Sequence, residues 1–79
     1  MLRLRNIKMN NGVISASYDP EDSGQIGAII MEVSTAEIIE SNLSEYDKDF
    51  PSYYRHAVSA LIRLVNEKDI PDEKIVMWY

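Results

Sequence analysis

A chain of 79 residues with 46% apolar and 27% charged side chains has room for a single domain, residues 1–79, and the composition of a globular protein. It contains no cysteine, which excludes disulfides, thiolate zinc sites and cysteine nucleophiles. The net charge of −5 is uneven: Arg3, Arg5 and Lys8 are the only charged side chains before Tyr18, whereas nine acids and Lys48 alone fall between Asp19 and Asp49. An asymmetry of this size suits ordinary solubility, and it can also steer a partner.

The N-terminal segment MLRLRNIKMN carries charges at every second or third position, and no stretch of the chain approaches the length of a membrane span. The expectation is a cytoplasmic protein with no membrane segment.

The first element is a hairpin. Asn11-Gly12 is the preferred pair for a two-residue type I′ turn, because both central residues take positive φ. That turn sets Met9 opposite Ile14, Lys8 opposite Ser15, Ile7 opposite Ala16 and Asn6 opposite Ser17, with Tyr18 opposite Arg5. Opposed residues share a face, so Ile7, Met9, Ile14 and Ala16 form an apolar side and Asn6, Lys8, Ser15 and Ser17 a polar one. Leu2 and Leu4 have the wrong parity for this register. A bulge near Arg5 and Asn6 is needed to return both to the core.

The run DPEDSGQ, Asp19 to Gln25, has the residues of an exposed loop. Its acids do not have the spacing of a calcium loop, which needs a terminal bidentate Glu and flanking helices. Ile26 to Val33 is apolar on both faces: Ile26, Ala28 and Ile30 on one, Ile29, Met31 and Val33 on the other. Such a strand has cover on both sides, or a partner on one.

Ser34 to Leu43 reads either as a fourth strand or as a helix capped by Ser34 and Glu37. The strand is preferred because Ile38-Ile39 is stiff at χ1 and the earlier strands need a neighbour, although the turn at Ser34-Thr35 lacks glycine. Ser44 to Pro51 is a polar loop with two anchoring aromatics, Tyr46 and Phe50.

The segment Ser52 to Lys68 has the longest periodicity in the chain. Tyr54, Ala57, Val58, Leu61, Leu64 and Val65 make an apolar stripe at helical spacing. Asp49 and Ser52 are its candidate caps, and Pro71 ends it near Lys68 or Asp69. The final run KIVMWY, Lys74 to Tyr79, is apolar on both faces and must pair in the sheet or lie in an interface.

These elements specify an α+β fold: an antiparallel meander of three or four strands, one amphipathic helix packed on it, and a C-terminal strand. If the fourth and last strands are neighbours, the helix is a right-handed crossover.

The chemistry is sparse. His56 is the only histidine, and with no cysteine beside it no histidine-based metal site can form. Gly12, Gly24 and Gly27 match no phosphate-binding pattern, and no nucleophile elbow is present. No cofactor is implied. Three cations on a net acidic chain do not make a nucleic-acid surface, since each phosphate contact requires its own cation.

Tyr53 and Tyr54 are consecutive on the helix and point about 100° apart, so one must face away from the core. Tyr53, His56 and Arg63 form a strip beside the core stripe and, with Trp78 and Tyr79, are the candidate interaction surface. The doubly apolar strands exceed what one helix covers, which points to a homodimer or a standing protein partner. The leading expectation is a non-catalytic protein-interaction or regulatory module. The alternative is a small enzyme or ligand-binding domain using a cleft near His56.

Overall fold

A computed structural model of the chain describes residues 1–48 and 51–77. Asp49, Phe50, Trp78 and Tyr79 lie outside the described residues, and with them one expected helix cap, one expected loop anchor and two of the expected interface residues. The chain forms a meander of β1 (Leu2–Asn10), β2 (Val13–Pro20), β3 (Gly27–Glu32) and β4 (Ile38–Asn42). A short 3-10 turn (Glu45–Asp47) leads to helix α1 (Ser52–Leu64) and then to β5 (Lys74–Val76). The antiparallel sheet has the order β4-β3-β2-β1-β5, and α1 packs on one face of it.

Near the Asn11-Gly12 turn the register is the expected one, with Met9 opposite Ile14 and Lys8 opposite Ser15. The bulge also forms. Asn6 takes φ +52°, and the pairing shifts between Arg5 and Lys8 so that Asn6 and Ile7 together face Ala16. Beyond it Ser17 pairs with Arg5 and Tyr18 with Leu4, in place of the expected Asn6 and Arg5. Leu2, Leu4 and Ile7 all reach the core as a result. Ile7 gives its amide to the Asp72 carbonyl at 3.0 Å, so the residue freed by the bulge is bonded to the segment before β5. Met9, expected on the apolar side, is 42% exposed, at the end of β1 beyond its pairing with β5 at Leu2 to Leu4.

The fourth element is a strand, Ile38–Asn42. Its turn replaces glycine with Ala36 at φ +59°, and closes through the Glu32 amide to the Glu37 carbonyl at 2.8 Å. A second irregularity follows: Met31 pairs with Ile38 and Ile30 with Glu40, leaving Ile39 as an extra, exposed residue. A bulge at a sheet edge twists the edge away from a straight template for further pairing.

Helix α1 contributes Ala57, Ala60, Leu61 and Leu64 to the core, with Tyr54, Val58 and Val65 partly buried beside them. It stops about four residues before the expected Lys68. The apolar stripe ends at Val65, and the backbone tightens into bonds from Asn66 to Arg63 and from Glu67 to Leu64, so the helix ends where its buried face ends. No helix among the described residues is long and apolar enough to cross a membrane.

β5 pairs with β1, Leu2 opposite Val76 and Leu4 opposite Lys74. β4 and β5 are therefore on opposite edges, and α1 connects them across the whole sheet instead of joining neighbours.

Candidate functional site

The helix covers one face of the sheet, and the alternation along β2 and β3 decides what the other face shows. Ile14, Ala16, Tyr18, Ile29 and Met31 point to the helix and are buried. Ser15, Ser17, Ala28 and Ile30 alternate with them and are half-buried on the opposite side, where no described element lies over them. Together with Asn6 and Lys8 they line a shallow depression of about 300 Å³. The strand expected to have cover on both sides, or a partner on one, has one face covered by the helix and one that no described element covers.

A second groove, about 260 Å³, runs between the C-terminal half of α1 and β5, with Ala60, Arg63, Leu64 and Glu67 on one wall and Ile75 and Met77 on the other. Ile75 and Met77 are largely exposed, whereas Val76 packs against the core. Among the described residues no strand pairs with the outer edge of β4 or of β5.

The helix N-terminus is built around a buried carboxylate. Asp47 accepts the Tyr53 amide on Oδ1 at 3.1 Å and the Tyr54 amide on Oδ2 at 2.7 Å. Its Oδ2 also accepts the Tyr18 hydroxyl at 3.4 Å, and that oxygen in turn accepts the Ser44 amide at 2.9 Å. Ser44 donates its hydroxyl to the Gln25 carbonyl and accepts the Tyr46 amide at 3.1 Å. This network ties β2, the loop before β3 and the 3-10 turn to the helix start. Asp47, not Ser52, therefore supplies the cap. Burial raises the Tyr18 phenol above its usual range, the Ser44 amide opposing that shift.

The basic strand and the acidic loop neutralise each other. Arg3 holds Asp22 at 2.9 Å, and Arg5 reaches Asp19 at 3.3 Å and Glu73 at 3.2 Å. Asp19 is buried, and it also accepts the Gly24 amide at 3.0 Å and the Ser23 hydroxyl. The charge asymmetry of the sequence thus serves contacts within the chain: the loop folds back on β1, with Glu21 donating its amide to the Met1 carbonyl.

The expected interaction residues are spread out. Tyr53 lies half-buried at the helix start, its ring edge-on to Tyr46 at 5.4 Å and its hydroxyl donating to Glu21 at 2.9 Å. Burial first and the Glu21 carboxylate second push its phenol up to about 12. Glu21 itself is held below the usual carboxylate range, first by the N-terminal ammonium and then by Tyr53. His56 is half-buried on the next turn and lines neither of the two grooves. Arg63 is exposed in the α1–β5 groove, about 15 Å along the helix axis from Tyr53 at 1.5 Å per residue.

Two features escaped the sequence reading. Asp47 reads in the sequence as one more loop acid, because five residues before the helix it lies outside the position of an ordinary cap. The row of residues across the bare face was foreshadowed only by the doubly apolar character of β3.

Comparison of the chain with family models, with curated proteins and with solved structures finds no match.

Proposed function

We propose that this chain is a small, non-catalytic protein-interaction or regulatory module that works by covering the bare face of its sheet with a protein partner. The observation that supports this is the half-buried pair Ala28 and Ile30, standing with Ser15 and Ser17 on a sheet face that no described element covers. Apolar side chains grouped on an open face and rimmed by charge are the surface a protein partner removes from water. The α1–β5 groove, with Arg63 and the exposed Ile75 and Met77, is a second surface on the same chain, and Trp78 and Tyr79 follow it in sequence.

The test is capture from the source cells with the tagged full chain and with an Ile30→Lys variant shown to be folded by circular dichroism. A partner protein, or an untagged copy of the chain, held by the native face and lost from the variant supports the proposal. Identical capture by both chains overturns the bare face as the docking surface. A cytoplasmic location belongs to the same proposal, and fractionation of those cells tests it.

A further inference from the structure

Residues paired across the meander share a face, and on the bare side they make two rows. One runs Lys8, Ser15, Ile30, Glu40 from β1 to β4, and the next runs Arg5, Ser17, Ala28, Asn42. The first row starts on a cation and ends on an acid. Both are exposed, and among the described residues neither Lys8 nor Glu40 belongs to an ion pair. Between them the short Ser15 and Ser17 leave the depression over β2, and the longer Ile30 stands beside it on β3.

We propose that the occupant of this face is a second copy of the chain, with the two sheets packed face to face about a two-fold axis running along the strands between β2 and β3. The proposal rests on the interaction-module reading above and names its partner. A closed pair requires one patch that is complementary to itself. Rotation about an axis along the strands exchanges the two flanks of each row, so Lys8 of each copy meets Glu40 of the other. The same rotation brings Ile30 of each copy over Ser15 of the other, where the depression receives it.

Aligned sheets pack about 10 Å apart with strands crossing by about 30°, a spacing that side chains from both faces fill. In the second row Arg5 comes to lie opposite the neutral Asn42, and its charge is already neutralised by Asp19 and Glu73 of its own chain. An axis across the strands gives the opposite result. It lays Lys8 against Lys8 and Glu40 against Glu40 when it runs along the first row, and Lys8 against Arg5 and Glu40 against Asn42 when it runs between the rows. The charge pattern therefore selects one pairing and opposes the other.

The experiment is sedimentation equilibrium of the purified full chain over a concentration series, repeated on Lys8→Glu, Glu40→Lys, the double exchange Lys8→Glu/Glu40→Lys, and Ile30→Lys, with circular dichroism to confirm folding. The native chain is expected to be a dimer. Each single exchange sets like charges against each other twice per dimer and should weaken it about tenfold or more, whereas the double exchange should restore it. Ile30→Lys should give a monomer. A native chain that stays monomeric overturns the proposal, and so does a dimer indifferent to both single exchanges and to Ile30→Lys. A monomer that still captures another protein through Ile30 would remove the second copy as partner and leave the module reading standing.

Discussion

The Tyr54 amide lies 2.7 Å from Oδ2 of Asp47, a carboxylate that is buried seven residues earlier in the chain and outside the helix it caps. The first amides of a helix have no partner within it, and here one side chain takes two of them while also accepting a tyrosine hydroxyl from the sheet. Replacing it removes a cap and leaves buried donors without acceptors. Asp47→Ala should lower stability by about 1–3 kcal/mol in urea unfolding. A loss below about 0.5 kcal/mol, the range of surface substitutions, would mean that water replaces the carboxylate without cost.

Tyr18 imposes a second requirement. Its ring lies over Gly27 on the neighbouring strand, and a Cβ at Gly27 would come 2.6 Å from Cζ and 2.8 Å from the Asn42 carbonyl oxygen. The ring is held by the helix and by its hydroxyl, so it cannot move aside. Gly27→Ala should cost about 1–3 kcal/mol by overpacking. Gly12→Ala, where φ is +78° but the space is open, should cost about 1 kcal/mol by backbone strain alone. Equal losses in the two variants would show that strand β3 shifts to accommodate the methyl group.

Leu61 and Ile62 test the face of α1. Leu61 is fully buried and Ile62 is 40% exposed. Leu61→Ala should therefore cost about 2–5 kcal/mol, whereas Ile62→Ala should stay near 0.5 kcal/mol. Comparable losses for both would place the helix in a different rotation.

The loop after β2 carries the pH dependence. Glu21 and Asp22 have lowered pKa values, Asp22 chiefly through its hydrogen bond to Arg3. A depressed carboxylate contributes stability that is present above its unfolded pKa of about 4 and is lost as pH falls through the folded value. Glu21→Gln and Asp22→Asn should be less stable than the native chain at pH 6 and converge with it at about pH 2, read by thermal unfolding. Tyr53 acts at the other end of the scale. Its raised pKa favours the neutral phenol, so its contribution is full below the ordinary tyrosine pKa of about 10 and lost as pH rises toward the folded value of about 12. Absorbance titration at alkaline pH should show Tyr53 titrating late, as the buried Tyr18 also does, and the Tyr53 component should be missing from Tyr53→Phe and titrate earlier in Glu21→Gln.

The hairpin shows how far sequence reasoning reached. Asn11-Gly12 determines the pairing of the residues beside it because turn geometry acts directly on its neighbours, and Met9 with Ile14 and Lys8 with Ser15 follow. Parity alone required a bulge before Ile7. The position at which pairing resumes, Arg5 with Ser17, depends on the Ile7 amide finding the Asp72 carbonyl, a partner 65 positions away. The helix followed the same division: its core face was legible in the spacing of Ala57, Leu61 and Leu64, and its cap was not, because Asp47 acts from a separate turn.

By itself, the sequence determined the first three strands, the helix and its core face, and the hairpin register beside the turn, all of which depend on periodicity or on residues a few positions apart, and it left Ser34 to Leu43 between strand and helix. Only the tertiary structure decided that Arg3 and Arg5 serve the acidic loop, that β4 and β5 take opposite edges, and that no described element covers one side of β3. The reason is physical. Local geometry is written in neighbouring φ and ψ angles, whereas the partner of a charge and the cover of a sheet face depend on which distant segments the chain brings together.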